Sequence, residues 1–466
     1  MESQRAAAIA AETAASGEDV IAIVDDTTHH YLRWSANEVT ANGAASTRTL
    51  TVIAVNSVDD GIGNAAITHR GHLDENTVRK VADAARAAAL RAAPVASAPS
   101  LPGGHGTAGR PDIAMEEAPA DAPPAYWNDL AADLGAAMTR ADRRQRLLYG
   151  YAERQRRTTT VNASTGLHLT STQAVGTVEA AAYGADGKAS AWHGTAIPDS
   201  GEADVPGIHD ELDRWLHTAN RRVSLPPGRY DVVLSPSCVA DLMARLYRAM
   251  SVTEATTGAS PFGDGEGGTR IGERLTPASL TLLSDPAARG LSCDPFVITR
   301  SPTPTASVFD NGLPLRRTRW ISDGVLSALV GTRTAAESAG CPFTPWIGNL
   351  VLTGAAPDRS LDEIVAETRR GLLVTSLWYL RDVDPRRLLI TGLTRDGVYL
   401  IEDGEIVAAT NDFRFNESLL GVLRRVTDVG TTVPTLPREP DNAMTRFAMP
   451  PLAVRDFTMS SVSEAP

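Results

Sequence analysis

The sequence predicts an α+β fold: an N-terminal antiparallel sheet with flanking helices, and a C-terminal β-rich curled sheet or barrel with inserted helices. In the first 93 residues, short β-type runs follow one another before a long helix, instead of alternating with helices. After residue 270, Asn-Gly and Asp-Gly dipeptides recur between apolar runs, a pattern typical of hairpins. At 466 residues the chain is long enough for two or three domains.

Residues 1–93 predict one α+β unit. The opening stretch MESQRAAAIAAETAASG is interrupted by Glu12 and lacks a long apolar run, so it favours a helix over a signal peptide. The four strand candidates are VIAIVD, YLRWSANEV, STRTLTVIAV and NAAITH. Asp74 is predicted to open a long helix with one apolar, alanine-rich face, formed by Val78, Val81, Ala82, Ala85 and Ala89.

Residues 94–125 are rich in Pro, Gly, Ala and Ser and predict an irregular connection, in which His105 is expected to be solvated rather than catalytic. Residues 126–225 predict a helix from about Trp127 to Leu148 and two antiparallel strands turning at 162–166, continuous with the N-terminal domain.

A later helix of this middle segment carries three possible metal ligands, His209, Glu211 and His217. We predict no metal site there, because positions i, i+2 and i+8 do not share a helical face. The buried stripe of that helix is predicted to be Leu212, Trp215, Leu216 and Ala219.

Residues 226–251 organise the C-terminal domain, predicted to span 226–466. Pro226-Pro227-Gly228 ends the preceding helix, Tyr230 to Leu234 is a strand-type run, and Ser235 with Pro236 begins a new helix. The apolar residues of that helix form one continuous face: Val239, Leu242, Met243, Leu246, Tyr247 and Met250. We therefore expect this helix to be docked against a core.

The rest of the C-terminal domain predicts strands joined by tight turns. The hairpin dipeptides are Asn311-Gly312, Asp323-Gly324, Asp396-Gly397 and Asp403-Gly404. Ser360 and Glu363 predict a capping box for a helix that ends before Gly371. Asn416 is predicted to cap another helix, whose apolar residues are Leu419, Leu420, Leu423 and Val426.

Charge and cysteine usage narrow the function classes. Lys and Arg number 44 against 56 Asp and Glu, and the resulting net charge of −12 disfavours a broad nucleic-acid-binding surface. Cys238, Cys293 and Cys341 are odd in number and widely spaced, which favours a reducing cytoplasm and buried, non-ligating thiols. No membrane-spanning segment is predicted.

The strand and helix PPGRYDVVLSPSCVADLMARLYRAMS resemble the TldD/PmbA family of bacterial zinc peptidase proteins. Further segments resemble the family in the same order: LRRTRWISDGVL, SLDEIVAETRRGLLVT, ITGLTRDGVYLIEDGEI and ATNDFRFNES. In the TldD branch this helix carries His-Glu-x-x-x-His, and a cysteine near the C-terminus is the third zinc ligand. Here Ala244, Arg245 and Ala249 stand at about those positions, and no cysteine follows Cys341.

The resemblance therefore implies the TldE/PmbA-like branch, with no catalytic residue and no metal or other cofactor bound by this chain. It implies a non-catalytic subunit of a TldD/TldE peptidase, acting on small or unfolded peptides or maturing modified peptides. The zinc is then expected in a TldD-like partner, and a homodimer is a further option. The substrate-binding residues stay unassigned.

Two alternatives stay open. A stand-alone hydrolase would need machinery of its own, but no G-x-S-x-G elbow or compact nucleophile-base motif is present. A regulatory or adaptor protein, including one associated with DNA gyrase as in the history of the PmbA name, would leave no sequence motif.

We predict that limited proteolysis cuts first within residues 94–124, because that composition offers little apolar surface to offset the entropy of ordering. The first fragments, identified by mass spectrometry, should have their new ends within residues 94–124. First cuts within 227–430 would contradict the domain division.

Overall fold

A computed structural model describes residues 1–58, 61–95, 98–103, 126–185, 187, 189–197, 204–219, 221–355, 358–439 and 444–463. Most of the predicted connection at 94–125, including His105, lies outside these residues. The fold is α+β, as predicted, with an antiparallel N-terminal sheet and two mixed C-terminal sheets. Within the described residues, no helix is both long enough and apolar enough to cross a membrane.

The N-terminal sheet is six-stranded and antiparallel. Its strands are β1 (Glu18–Ser35), β2 (Glu38–Val58), β3 (Gly61–Arg70), β4 (Arg146–Ala163), β5 (His168–Gly184) and β6 (Ser190–Ile197). Their order is β3-β2-β1-β4-β5-β6, so residues before and after the 94–125 segment share one sheet. The predicted turn near residue 164 joins β4 to β5, as expected.

The prediction of four short strands before residue 70 was wrong. The first candidate run and most of the second belong to the long strand β1, whereas the end of the second run enters β2, which is longer than the third run. The polar residues between the first two runs stay in the sheet, because His29 pairs with Ala45 on β2 and with Gln155 on β4. Pairing on both sides satisfies the backbone of β1 where its side chains do not predict a strand.

Four helices cover one face of this sheet: α1 (Ser3–Ala11), α2 (Glu75–Ala89), α3 (Tyr126–Arg143) and α4 (Val205–Thr218). The Asp74 cap is confirmed, because its carboxylate accepts the Thr77 N–H at 2.7 Å. The predicted end of α3 at Leu148 was wrong: Leu148 lies in β4 and pairs with Ala182 of β5. A strand partner there outweighs the helical pattern of the local sequence.

The C-terminal half contains two further sheets. Its strands are β7 (Arg222–Val223), β8 (Gly228–Leu234), β9 (Leu280–Ser284), β10 (Thr318–Ser322), β11 (Val325–Leu326), β12 (Asn349–Gly354), β13 (Arg370–Val374), β14 (Leu377–Asp384), β15 (Leu389–Thr394), β16 (Val398–Glu402), β17 (Glu405–Thr410), β18 (Phe413–Ser418), β19 (Val426–Val429), β20 (Val433–Thr435), β21 (Arg446–Met449) and β22 (Leu452–Val462). Its α-helices are α5 (Pro236–Ala249), α6 (Val252–Thr256), α7 (Arg333–Ser338), α8 (Leu361–Ala366) and α9 (Leu419–Arg424).

One sheet has the order β11-β10-β9-β12-β21-β20, and the other has the order β14-β15-β18-β22-β8-β13-β16-β17-β7, with β19 also paired to β22. Neither closes into a barrel within the described residues, so only the open-sheet form of the prediction is confirmed.

The turn dipeptides did not all join neighbouring strands. Asp323-Gly324 connects β10 to β11 and Asp403-Gly404 connects β16 to β17, as predicted. Asp396-Gly397 instead links β15 to β16, which are not paired, and Asn311-Gly312 follows a 3₁₀ turn in a loop. A turn residue selects a local backbone conformation, whereas tertiary packing selects the strand partners.

The two predicted inserted helices are present as α8 and α9. The capping box of Ser360 and Glu363 is confirmed, and α8 ends at Ala366, before Gly371 as predicted; Gly371 itself lies in β13. Ser418, not Asn416, caps α9, because Asn416 is paired within β18.

Helix α5 is the central element of the C-terminal core. All six residues of its predicted apolar face, Val239, Leu242, Met243, Leu246, Tyr247 and Met250, are at most 1% exposed. The core around them includes side chains from both C-terminal sheets. The predicted docking of α5 is therefore confirmed.

The two halves of the chain also share a core. On α4, Trp215 stacks on Tyr399 of β16 with ring centroids 4.6 Å apart. At the far side of the N-terminal sheet, Arg300 donates two hydrogen bonds to the buried Asp25, at 2.5 and 2.8 Å. Apolar and ionic contacts thus fix the N-terminal sheet on the C-terminal half.

We predict that Leu246→Asp unfolds the C-terminal half, because it places an unpaired carboxylate at a fully buried site, at a cost of about 4 kcal/mol or more. Thermal unfolding followed by circular dichroism should show a large fall in Tm or insoluble protein. Val383→Asp is the matched control, since Val383 is 55% exposed. Equal Tm values for the two variants would contradict the burial of this face.

Candidate functional site

The start of α5 is fixed by hydrogen bonds of Ser235. Its Oγ accepts the Cys238 N–H at 3.3 Å and donates to the Thr375 carbonyl at 2.8 Å. Pro236 occupies the first turn, where its missing N–H costs nothing. These contacts set the direction of α5 against the link between β13 and β14.

The half-buried side of α5 carries Ala244, Arg245 and Ala249. Arg245 donates a hydrogen bond to the Leu380 carbonyl at 2.9 Å, and its guanidinium lies 3.7 Å from Asp382 and 3.9 Å from Glu439. Two methyl groups and a cation do not fit a zinc ion, which requires imidazole, thiolate or carboxylate ligands.

Asp241, one turn before Arg245, is 2% exposed. Its carboxylate accepts the backbone N–H of Glu439 at 3.0 Å and that of Arg438 at 3.3 Å. Burial raises the pKa of Asp241 to about 7, although these two hydrogen bonds oppose the shift. This buried acid therefore holds the 435–439 segment against α5.

Glu439 repeats this arrangement on β14. Its carboxylate accepts the backbone N–H groups of Tyr379 and Leu380 at a bulge where Tyr379 has a φ of 55°. Leu380 in turn accepts the hydrogen bond from Arg245. Asp241, Arg245, Glu439 and the backbone at 379–380 and 438–439 thus form a closed polar ring.

Arg438 connects this polar ring to the N-terminal sheet. It is 8% exposed, and its guanidinium lies 5.3 Å from the ring centroid of Trp192 on β6 and 5.0 Å from that of Trp378. It donates to Ser376 Oγ at 2.7 Å and to the carboxylate of Asp396. One buried cation therefore joins both halves of the chain.

A cavity of about 150 Å³ lies beside the start of α5, between the two halves. Its lining includes His193, Glu211, Trp215 and Ser237. Burial lowers the pKa of His193, and Glu211 accepts hydrogen bonds from Arg214 at 2.6 Å and Trp215 Nε1 at 2.7 Å. The carboxylate is thus engaged, and burial favours the neutral form of the imidazole.

The other residues considered from the sequence do not meet in one place. His209 is buried in α4, and burial lowers its pKa to about 4, whereas His217 is exposed. Cys238 and Cys293 are buried, and burial raises the pKa of both thiols. In the part of the chain that the structure describes, no group of three His, Cys, Asp or Glu side chains is placed to hold a metal ion.

Sequence reasoning did not identify Asp241, Arg438, Glu439 or Trp192 as partners. One signal was present: Asp241 is an acid between buried positions of an amphipathic helix. The partners of that acid lie about 200 residues away, with contacts spanning 197 and 198 positions, so local patterns carried no information about them.

The fold and the site define a two-part α+β protein whose central C-terminal helix lacks metal ligands. Residues 227–461 match the model of the PmbA/TldA metallopeptidase C-terminal domain. The chain therefore belongs to the PmbA/TldD family, which confirms the resemblance seen in the sequence. Comparison with curated proteins finds no match.

Three solved structures are similar to this chain. TldE from Thermococcus kodakarensis has a TM-score of 0.75 at 18% identity, covering 94% of this chain and 96% of its own. A proposed modulator of a DNA gyrase from Thermotoga maritima has a TM-score of 0.74 at 16% identity, covering 97% and 98%. A proposed modulator of DNA gyrase from Bacteroides thetaiotaomicron has a TM-score of 0.73 at 14% identity, covering 98% and 99%. At these identities the likeness establishes the shared fold.

We predict that Asp241→Asn changes the pH dependence of stability. The pKa of Asp241 is raised from 3.8 to about 7, so its stabilising contribution is complete below about pH 4 and lost as pH rises through about 7. The Tm of the unmodified protein minus that of the variant should fall by about 2 °C or more between pH 5 and pH 8.

The exposed Asp129→Asn is the control, and its Tm difference should stay constant over the same range. Asp412, whose pKa burial raises to about 6, is present in every protein and cancels in each difference. A Tm difference for Asp241→Asn that does not change with pH would contradict the prediction.

Proposed function

We propose that this chain is the TldE-like, non-catalytic subunit of a two-subunit TldD/TldE peptidase that acts on small or unfolded peptides or matures modified peptides. The observation that carries the proposal is the half-buried side of α5, where Ala244, Arg245 and Ala249 replace the family's zinc motif. Membership of the PmbA/TldD family supports a role connected with peptidase activity.

The chemistry of α5 favours a structural role over a catalytic one. A catalytic zinc needs about three converging protein ligands and an open position for water. Here Arg245 is held by the Leu380 carbonyl beside two carboxylates, so its cation occupies the space beside the ligand positions. The proposed division of labour leaves zinc and bond cleavage to a TldD-like partner.

The similarity to the T. kodakarensis TldE structure supports the choice of branch at the level of fold. The polar ring supports the structural role of this chain, because its hydrogen bonds fix the shape of the half-buried side of α5 without a metal. In this proposal the chain forms part of the wall of a peptide chamber. A cytoplasmic location, favoured by the unpaired cysteines, belongs to the same proposal.

We expect the purified chain alone to contain well under one equivalent of zinc and to show no chelator-sensitive cleavage of an unstructured peptide. Co-expression with a TldD-like protein from the same genome should yield a stable complex with both properties. Elemental analysis, size-exclusion chromatography with light scattering, and peptide cleavage with and without EDTA provide the measurements.

The outcomes separate the alternatives. One tightly held zinc per isolated chain, with matching cleavage, would overturn the non-catalytic assignment. Chelator-resistant cleavage by the isolated chain would favour a stand-alone hydrolase. A lack of complex formation with any TldD-like protein, together with a stable homodimer, would favour a separate regulatory role. The TldD-like protein alone is the control for activity that does not depend on this chain.

A further inference from the structure

The N-terminal sheet has a second face that its helices do not cover. Strand alternation places His29 and Tyr31 of β1, Tyr151 and Glu153 of β4, Glu179 of β5 and Trp192 of β6 on this face. The same face contacts the C-terminal half through Asp25 and through Trp192. His29 and Glu153, about 30% exposed, lie between these two contacts along the sheet.

Two aromatic rings on this face lie along the sheet because glycine stands beside them. A Cβ atom on Gly43 of β2 would be 2.6 Å from the Tyr31 hydroxyl oxygen, and one on Gly194 of β6 would be 2.7 Å from the Trp192 ring. Any larger residue at these positions would displace the rings. The backbone at Gly43, on the neighbouring strand, therefore holds the Tyr31 ring, and the backbone at Gly194, on the same strand, holds the Trp192 ring.

Carboxylates lie next to these rings. Glu153 pairs with Tyr31 in register and bonds to His29 Nε2 at 3.0 Å and to the Tyr151 hydroxyl at 3.1 Å. Glu179 pairs with Tyr151 and accepts a hydrogen bond from Trp192. Glu153 and Glu179 occupy diagonal positions on adjacent strands, a geometry that places the two residues' Cα atoms about 7–8 Å apart.

We propose that Tyr31, Tyr151 and Glu153, with Glu179 beside them, form a site for a basic side chain of a bound peptide. An ammonium or guanidinium group would lie against the tyrosine rings and pair with the carboxylates. This inference rests on the proposed peptide-handling function and names the substrate class: extended peptides that contain lysine or arginine.

The molecule already uses this chemistry at equivalent rings. The guanidinium of Arg438 lies 5.3 Å from the Trp192 centroid, and that of Arg381 lies 4.0 Å from the Tyr379 centroid. Burial raises the pKa of Glu179, although the hydrogen bond from Trp192 and the charge of Arg438 oppose the shift. The net charge of −12 also attracts basic ligands over longer distances.

Three arginines of the described strands lie on the same face of the sheet: Arg33, Arg70 and Arg157. Arg70 lies on β3, in the row of Asp25. Arg157 is engaged, because it donates to Asp294 at 2.7 Å.

Arg33 is exposed and pairs with Tyr151 in register, at the outer end of the site. A ligand is therefore expected to enter from the side of Glu179, away from Arg33. Arg438 lies on that side, but its charge is engaged by Asp396.

The test is direct binding of two labelled peptides to the full chain, followed by fluorescence anisotropy. Both are ten-residue Gly/Ser peptides with blocked ends; one carries three lysines and the other carries glutamines at those positions. The lysine peptide should bind about tenfold more tightly at low salt. Glu153→Gln and Tyr31→Leu should each weaken its binding about fivefold or more and leave the glutamine peptide unchanged.

Glu405→Gln is the charge-matched control, because Glu405 is an exposed carboxylate at the β16–β17 hairpin. An equal loss in Glu405→Gln and Glu153→Gln, or equal affinity for the two peptides, would overturn the site. Circular dichroism verifies folding, and Glu179→Gln, with an expected loss in the same direction, replaces any variant that does not fold.

The measurement needs neither zinc nor a partner, so it is independent of the proposed subunit role. Selective lysine binding by a chain that forms no complex with any TldD-like protein would retain the site and overturn the subunit proposal. A zinc-dependent complex that cleaves both peptides equally, with no binding difference, would do the reverse.

Discussion

The geometry of the site depends on one buried contact, between the Asp241 carboxylate and the backbone N–H groups of Arg438 and Glu439. A carboxylate in an apolar core is stable only when its oxygens are hydrogen-bonded. Asp241 meets that requirement by binding a segment from the end of the chain. The 435–439 segment is therefore held where the side chains of Arg438 and Glu439 reach β14 and the N-terminal sheet.

The side chains of Glu439 and Arg438 connect the Asp241 contact to two other parts of the fold. Glu439 stabilises the bulge of β14 by accepting two consecutive N–H groups, in a backbone conformation that a tyrosine rarely adopts. Arg438 passes between two tryptophans, one of them from the N-terminal sheet. The hydrogen bonds of Asp241 thus help to fix the position of β6 relative to α5, because they hold Arg438 against Trp192.

The same arrangement surrounds the cation of α5 with carboxylates of the chain itself. Arg245 lies within 4 Å of the carboxylates of Asp382 and Glu439, so its charge is balanced inside the protein. The neighbouring open face of the N-terminal sheet has the opposite character, with carboxylates beside aromatic rings. The charge of Arg245 on α5 is thus neutralised within the protein, whereas the proposed site on the sheet face would accept a cation from a ligand.

The sequence by itself determined the elements whose signals are local. The Asp74 and Ser360 caps, the apolar face of α5 and the absence of a His-Glu-x-x-x-His motif were all evident, because each depends on residues within a few turns of one another. The tertiary structure alone decided which strands pair, that β1 continues through polar residues, and that Asp396-Gly397 joins strands that are not neighbours. It also decided the polar ring, since the partners of Asp241 lie 197 and 198 residues away and only the folded chain brings their N–H groups to a buried carboxylate.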